Sequence, residues 1–190
     1  MNKAIFFDRD GVLNVDNDYI TDINEINLYD YAADIIAYCR NLGFKIFVIT
    51  NQPVVARGLI QEEDLIKLNQ EFQQLILNQN KNAKIDKIYY CPHHPDANIS
   101  EYRMACNCRK PKHGMLLEAQ KEFNIDFNSS FMVGDRFSDI IAGYLAGCKT
   151  IQCLTGKHTE KMIQTDLNIS DNIAPDFVVN NISELKEILR

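Results

Sequence analysis

The chain has 190 residues, 46% hydrophobic and 24% charged, the composition of one globular domain with a core of its own. Its net charge of -6, from 26 acids against 20 bases, has the wrong sign for a nucleic-acid partner. No stretch approaches the length of a membrane-spanning helix, and the first residues enter an apolar run at once, so a cytosolic protein with no membrane partner is expected.

Ala4 to Phe7 is an apolar run of the kind that forms a strand buried on both faces. It ends in Asp8-Arg9-Asp10-Gly11. Side chains two apart in extended chain point the same way, so Asp8 and Asp10 can enter one small volume, and Gly11 lets the backbone turn away. Two adjacent carboxylates repel unless a cation sits beside them, and Mg2+ prefers hard oxygen ligands. A calcium loop starting at Asp8 fits worse: its glycine position would fall on Leu13 and its closing glutamate on Tyr19.

The polar stretch from Asn14 to Asn27, with Asp16, Asp18, Tyr19 and Asp22, reads as a loop that frames a pocket. A helix is expected from Asp30 to Leu42, ended by Gly43. Lys45 to Gln52 reads as a second buried strand ending in Thr50, Asn51 and Gln52. A hydroxyl and a backbone N–H at a strand end can hold a phosphate oxygen. A loop from Pro53 to Leu59 carries Arg57, and Gln61 to Asn78 reads as a helix with Leu65, Leu68, Phe72, Leu75 and Ile76 on one stripe.

Ile85 to Cys91 is a third strand. It leads into Cys91-Pro92-His93, then twelve residues, then Cys106-Asn107-Cys108. Three thiolates and an imidazole in two tight pairs suit a closed, structural tetrahedral Zn2+ site, with His94 as an alternative to His93. Disulfides are not expected in a reducing cytosol, and Cys39, Cys148 and Cys153 read as small buried hydrophobes. Arg109 and Lys110 follow the last thiolate, so a metal-held loop would carry two cations. Met115 to Phe123 reads as a helix.

Phe131-Met132-Val133-Gly134-Asp135 repeats the opening pattern of a buried strand ending in an acid, with Asp139 four residues on. A helix from Ser138 to Ala146, strands at Lys149–Leu154 and Phe177–Val179, and a helix from Ile182 to Leu189 with Ser183 as N-cap complete the chain. Strand and helix alternate throughout. The expected architecture is a single α/β domain over 1–190, three-layered and Rossmann-like, with a mainly parallel sheet and helices on both faces. Ligands of such sheets bind at the carboxyl ends of the strands, where every polar cluster above lies.

Asp8, Asp10 and Asp135 could hold a divalent cation, and Thr50, Asn51 and Lys110 an anion beside it, which is the equipment of phosphoryl transfer. No G-x-x-x-x-G-K-[ST] loop is present, so a kinase of that type is disfavoured. Hydrolysis of a phosphomonoester through an aspartyl-phosphate fits, one Asp attacking phosphorus and the other moving protons.

The segments DRDG, VITNQ, CRKP and MVGDRFSD together resemble the haloacid-dehalogenase-type phosphatases over nearly the whole chain. The inserted C-x-H and C-x-C narrow the resemblance to the zinc-containing group of heptose-bisphosphate and histidinol-phosphate phosphatases. By motif, it implies Asp8 as nucleophile, Asp10 as general acid and base, and Thr50 and Lys110 as stabilisers of the phosphoryl group. Arg109 would contact substrate. Asp8, the Asp10 carbonyl and Asp135 would hold Mg2+, and Cys91, His93, Cys106 and Cys108 Zn2+. DRDGVLNVD and the ending of TNQPVVARG bring the heptose branch closer. That branch implies a small sugar bisphosphate in the synthesis of nucleotide-activated heptose for lipopolysaccharide.

Pro53-Val54 stands where the family has a Ser-Gly pair, in a loop expected to border the sugar. The spacing leaves no room for a cap domain, so an open pocket is expected, shaped by Asp16 to Tyr19, Pro53 to Arg57 and the zinc loop 91–108. Asn51, Gln52 and Arg57 join Asp16, Tyr19 and Arg109 as candidate substrate contacts, in a monomer. Two rival readings stay open: a histidinol-phosphate phosphatase, and a zinc-stabilised binding module without catalysis, which would predict damage in the acidic set.

Overall fold

A computed structural model describes residues 1–160 and 173–189. The strands are β1 (Ala4–Phe7), β2 (Lys45–Asn51), β3 (Lys87–Cys91), β4 (Phe131–Gly134), β5 (Lys149–Cys153) and β6 (Phe177–Val179). The helices are α1 (Ala32–Asn41), α2 (Glu62–Gln79), α3 (Gly114–Phe123), α4 (Phe137–Ala146) and α5 (Leu185–Ile188). The strands form one sheet in the order β3-β2-β1-β4-β5-β6, and every pairing is parallel. Parallel neighbours need crossover connections, and α1, α2, α3 and α4 lie in those between the first five strands.

The central strands are apolar at every position because both sheet faces are covered. Alternate residues serve opposite cores. On one face Ile5, Phe7, Ile46, Val48 and Val133 pack with α1, α2 and α5 through Ile36, Leu65, Phe72 and Leu185. On the other, Phe6, Phe47, Ile49 and Met132 pack with α3 and α4 through Met115, Leu116, Ala119 and Ala142. Phe6 stacks on Phe47 with ring centroids 5.3 Å apart, which locks the register of β1 on β2. Cys39, Cys148 and Cys153 are buried in these cores, and burial pushes each thiol up.

The chain builds β2 and β3 outward from one side of β1, then returns to place β4 on the other side. That reversal lies between β1 and β4, and it leaves a crevice at their carboxyl ends. No cap domain is inserted among the described residues. The connection from β1 to β2 holds a loop with a 3-10 turn at Ile23–Glu25 and α1. The loop is not free: Ile20 and Ile26 are buried, and Val15 N–H donates to the Asn27 carbonyl. No helix among the described residues is long and apolar enough to cross a membrane.

Several sequence boundaries need correction. α1 starts at Ala32 rather than Asp30, behind Tyr31, whose side chain makes no cap. The expected closing helix is a 3-10 turn at Ile182–Glu184 followed by the short α5. Its cap is Asn181, whose side chain accepts the Ser183 N–H, so Ser183 is the capped residue rather than the cap. Val54 is also not a rim residue. It is 1% exposed and packs in the core, which leaves the half-buried Pro53 as the more accessible of that pair.

Candidate active site

Asp8 and Asp10 leave the end of β1, Thr50 is the last residue but one of β2, Asp135 follows β4, and Asp139 lies in the first turn of α4. Gly11 turns the chain at φ +82°, a conformation that favours glycine, and the turn brings its backbone against the Asp135 carboxylate. Lys110 reaches in from the loop before α3. Its Nζ lies 2.9 Å from Asp8 Oδ1 and 2.6 Å from Asp139 Oδ1, and it donates to the Ile49 carbonyl at 2.7 Å. The ammonium thus donates to one carbonyl and forms ion pairs with two carboxylates. Lys110 is buried, and it stays charged because Asp139 and Asp8 outweigh the burial that would pull its pKa down.

Asp8, Asp135 and Asp139 offer carboxylate oxygens all within 4.8 Å of one another. Burial raises Asp8 well above the usual carboxylate range, with Asp139 and Asp135 adding repulsion and Lys110 opposing. Burial likewise pushes Asp135 up to about 7, with Asp139 adding to it. Two acids held in this condition could take a cation: a divalent ion would supply the charge that the protein withholds. Asp135 Oδ2 accepts the Lys157 N–H at 2.6 Å, while its Oδ1 is buried without a hydrogen-bond partner among the described residues. Asp8 Oδ1 takes Lys110 and the Arg9 N–H, and no hydrogen bond among the described residues reaches its Oδ2. Asp139 differs. Its Oδ1 faces Lys110 and its Oδ2 accepts the Arg136 N–H at 3.0 Å, so it serves as Lys110's anchor. Asp8 and Asp135 each keep an oxygen with no basic partner among the described residues, whereas Asp139 Oδ1 faces Lys110.

Asp10 is held by four donors. Arg9 Nε and Nη2 approach at 3.1 and 3.0 Å, Asn14 Nδ2 at 2.8 Å and Gln52 Nε2 at 2.8 Å. Burial works to raise the Asp10 pKa, but the Arg9 guanidinium, with Asn14 and Gln52, overcomes it and holds the carboxyl low. Arg9 itself is fully buried, donating to Asn69 Oδ1 and lying over the Phe72 ring. Neither Arg9 nor Asn14 was evident as a site residue from sequence. Thr50 Oγ1 accepts from Gln52 at 2.9 Å, which leaves its hydrogen to donate into the crevice.

The candidate substrate contacts divide. Gln52 is buried, and its amide nitrogen is spent on Asp10 and Thr50. Asn51 brackets the Lys110 backbone, donating to its carbonyl at 3.1 Å and accepting its N–H at 3.0 Å. Both therefore support catalytic candidates rather than reach outward. Asp16 pairs with Arg136 at 3.2 Å and Lys157 at 3.4 Å, while Tyr19 is 47% exposed at the rim. Arg109 donates to the His93 carbonyl at 3.1 Å, and burial pulls its pKa below the ordinary guanidinium value. Arg57 reaches the Asp96 carbonyl, and its Nε is buried without a partner.

Cys91, His93, Cys106 and Cys108 close into one cluster. The sulfurs lie 3.1 to 3.4 Å apart and His93 Nδ1 is 3.4 Å from Cys108 Sγ. Ligands at the corners of a zinc tetrahedron are separated by about 3.7 Å, so the set is close to the right size. None of these cysteines is in a disulfide. His94 turns away and accepts the Asp96 N–H, which excludes it from the cluster. Hydrogen bonding with Cys91, Cys106 and His93 holds the Cys108 thiol down at about 5, which favours the thiolate.

Residues 107–185 match the HAD-hydrolase-like family model. The chain is 38% identical over 191 residues to the D-glycero-beta-D-manno-heptose-1,7-bisphosphate 7-phosphatase of Haemophilus influenzae, covering 100% of this chain and 98% of that protein. The same enzyme of Pasteurella multocida is 37% identical with the same coverage. Among solved structures, the D,D-heptose 1,7-bisphosphate phosphatase of B. bronchiseptica, complexed with magnesium and phosphate, superposes with a TM-score of 0.80 at 27% identity, covering 98% of this chain and 97% of that one. The chain belongs to the HAD-like hydrolases of phosphoric monoesters, in the family of the D-glycero-beta-D-manno-heptose-1,7-bisphosphate 7-phosphatases.

Proposed function

We propose that this chain removes the 7-phosphate of D-glycero-beta-D-manno-heptose 1,7-bisphosphate through an aspartyl-phosphate, with Mg2+ as catalytic cofactor and Zn2+ as structural ion. The observation that carries the chemistry is the pairing of Asp8, whose Oδ2 is free, with Lys110 at 2.9 Å on its other oxygen. Identity to named relatives over the full chain supports the substrate. A monomer acting in the cytosol, with a small sugar phosphate as its partner, completes the reading.

Asp8 Oδ2 attacks phosphorus, forming a carboxyl-phosphate bond as the ester P–O bond breaks. Lys110 neutralises charge on Asp8 and the arriving phosphoryl oxygens, and Thr50 donates its hydroxyl to one of them. Asp10 gives its proton to the leaving sugar oxygen. Its resting donors favour the ionised form, and an incoming phosphate dianion raises its pKa toward the proton-bearing one. In the second half, Asp10 takes a proton from water, which attacks the phosphorus of the aspartyl-phosphate and frees phosphate and Asp8. Mg2+, held by Asp8, the Asp10 carbonyl and Asp135, would supply charge neutralisation for the transferring phosphoryl group. The zinc cluster ends at Cys108, so its part is to fix Arg109 and Lys110 in place. Arg109, Tyr19 and Arg57 are the proposed sugar-phosphate contacts.

The test is phosphate release from the α and β heptose bisphosphates and from histidinol phosphate, with and without Mg2+. Strong Mg2+-dependent preference for the β heptose is expected. Preference for histidinol phosphate would replace the substrate reading, and inactivity on all three would overturn it. Asp8→Asn should lose at least about 1,000-fold in kcat while staying folded, because no nucleophile remains.

A further inference from the structure

We propose that the turn Thr155-Gly156-Lys157 is a positioning arm of the metal centre, fixing Asp135 so that one oxygen faces the cation and tying it to the loop at Asp16. The inference rests on the magnesium reading above and names residues that neither the motifs nor the comparisons point to.

The turn follows β5, the neighbour of β4. The Lys157 N–H donates to Asp135 Oδ2 at 2.6 Å, which occupies that oxygen and leaves the buried Oδ1 without a hydrogen-bond partner among the described residues. A buried carboxylate oxygen without a donor is costly unless a cation completes it. Gly156 makes the approach possible. A Cβ there would fall 2.2 Å from Asp135 Oδ2 and 2.8 Å from Gly11 Cα. On the other side a Cβ at Gly11 would fall 2.6 Å from the same Oδ2. The carboxylate is therefore sandwiched between two bare backbones, and its rotation is blocked.

The turn is clamped to the end of β1 as well. Thr155 Oγ1 donates to the Gly11 carbonyl at 2.5 Å, and Tyr29 Oη donates to the Thr155 carbonyl at 3.2 Å. The Lys157 side chain then runs outward to Asp16 and Asp18, beside the Arg136–Asp16 pair. One residue thus addresses the metal carboxylate through its backbone and the rim loop through its ammonium. A merely connecting loop needs neither a glycine pressed on a buried acid nor an N–H aimed at it.

The test is calorimetric Mg2+ binding to the full-length protein, dialysed free of magnesium with its zinc retained. Thr155→Val keeps shape and removes the clamp. By loosening the turn that carries the Lys157 N–H, the outer partner of Asp135, it should weaken Mg2+ binding about tenfold. Lys157→Met keeps the N–H and should leave Mg2+ affinity within about twofold while raising KM for the sugar bisphosphate about tenfold. Gly156→Ala is the severe form, and if it does not fold, Thr155→Val still decides. Wild-type protein that binds no Mg2+ would overturn the metal reading. Wild type that binds, with Thr155→Val binding equally well, would overturn the positioning role alone.

Discussion

Lys110 lies closer to Asp139, at 2.6 Å, than to Asp8, at 2.9 Å. A lysine that served only to screen a nucleophile would need just one of these carboxylates. The second, fixed by the Arg136 N–H at the start of α4, makes the ammonium a rigid part of the site. Asp139→Asn should therefore cost about 10- to 100-fold in kcat with little change in KM, because the lost contact positions charge rather than binds substrate. Removing one of three crowded carboxylates offsets the lost ion pair, so stability should change by less than about 2 kcal/mol. A comparable rise in KM would count against a pure positioning role.

The raised Asp135 pKa gives the metal-free protein a pH dependence of definite sign. An acid whose folded pKa is about 7, against 3.8 unfolded, contributes stability below pH 3.8 that is lost as pH rises through about 7. Between pH 5 and 7.5 the metal-free wild type should lose about 2 kcal/mol from this source, or about 4–8 °C in Tm. Asp135→Asn should flatten that slope. Mg2+ binds the ionised carboxylate, so its stabilising effect should be larger at pH 8 than at pH 6. Equal Mg2+ effects at both values would contradict the assignment of Asp135 as a ligand.

The parts of the site that read clearly from sequence are those that end a buried strand or obey a ligand spacing. Ile5 to Asp10 and Met132 to Asp135 show apolar runs broken abruptly by acids, and the zinc set shows two tight pairs. What did not read is whatever depends on partners far away in the chain. Arg9, between two acids, looks like a solvated charge, but its guanidinium is buried against Asn69, 60 residues on. Gln52 and Asn51 look like outward donors because TNQ ends a strand. Their amides instead bond Asp10 and the Lys110 backbone. Thr155 meets Gly11 across 144 residues, a contact that no local pattern encodes. Val54 lies in the loop expected from Pro53 to Leu59, but its burial there follows from the tertiary packing of that turn.

The cluster of Cys91, His93, Cys106 and Cys108 makes a prediction about metal content. The sulfurs of Cys91, Cys106 and Cys108 lie within 3.4 Å of one another and no disulfide relieves their crowding. Cys106→Ala removes one corner of the cluster. Zinc, expected at one ion per wild-type chain by elemental analysis, should fall to near zero. The loop through Arg109 and Lys110 should loosen, with kcat down by about 100-fold or more and several kcal/mol of stability lost. A full complement of zinc in the variant would show that the ligand set is wrong.

Arg9 makes the sharpest structural prediction. It is fully buried, and its only charged partner among the described residues is Asp10, at 3.0 Å. Arg9→Met keeps most of the side-chain volume and the packing on Phe72 but leaves Asp10 with only Asn14 and Gln52 as donors. Removing one partner of a buried pair costs about 3–5 kcal/mol, so Tm should fall by roughly 6–20 °C. The sign with pH follows from the lowered Asp10 pKa. In wild type, Asp10 contributes stability above its unfolded pKa that is lost as pH falls through the folded one. In the variant burial dominates, the Asp10 pKa rises, and the penalty should grow from pH 4 to pH 7 as the unpaired carboxylate is forced to ionise. Urea denaturation of both proteins at these two pH values measures this, and a penalty that shrank toward pH 7 would mean that Arg9 does not hold Asp10 ionised.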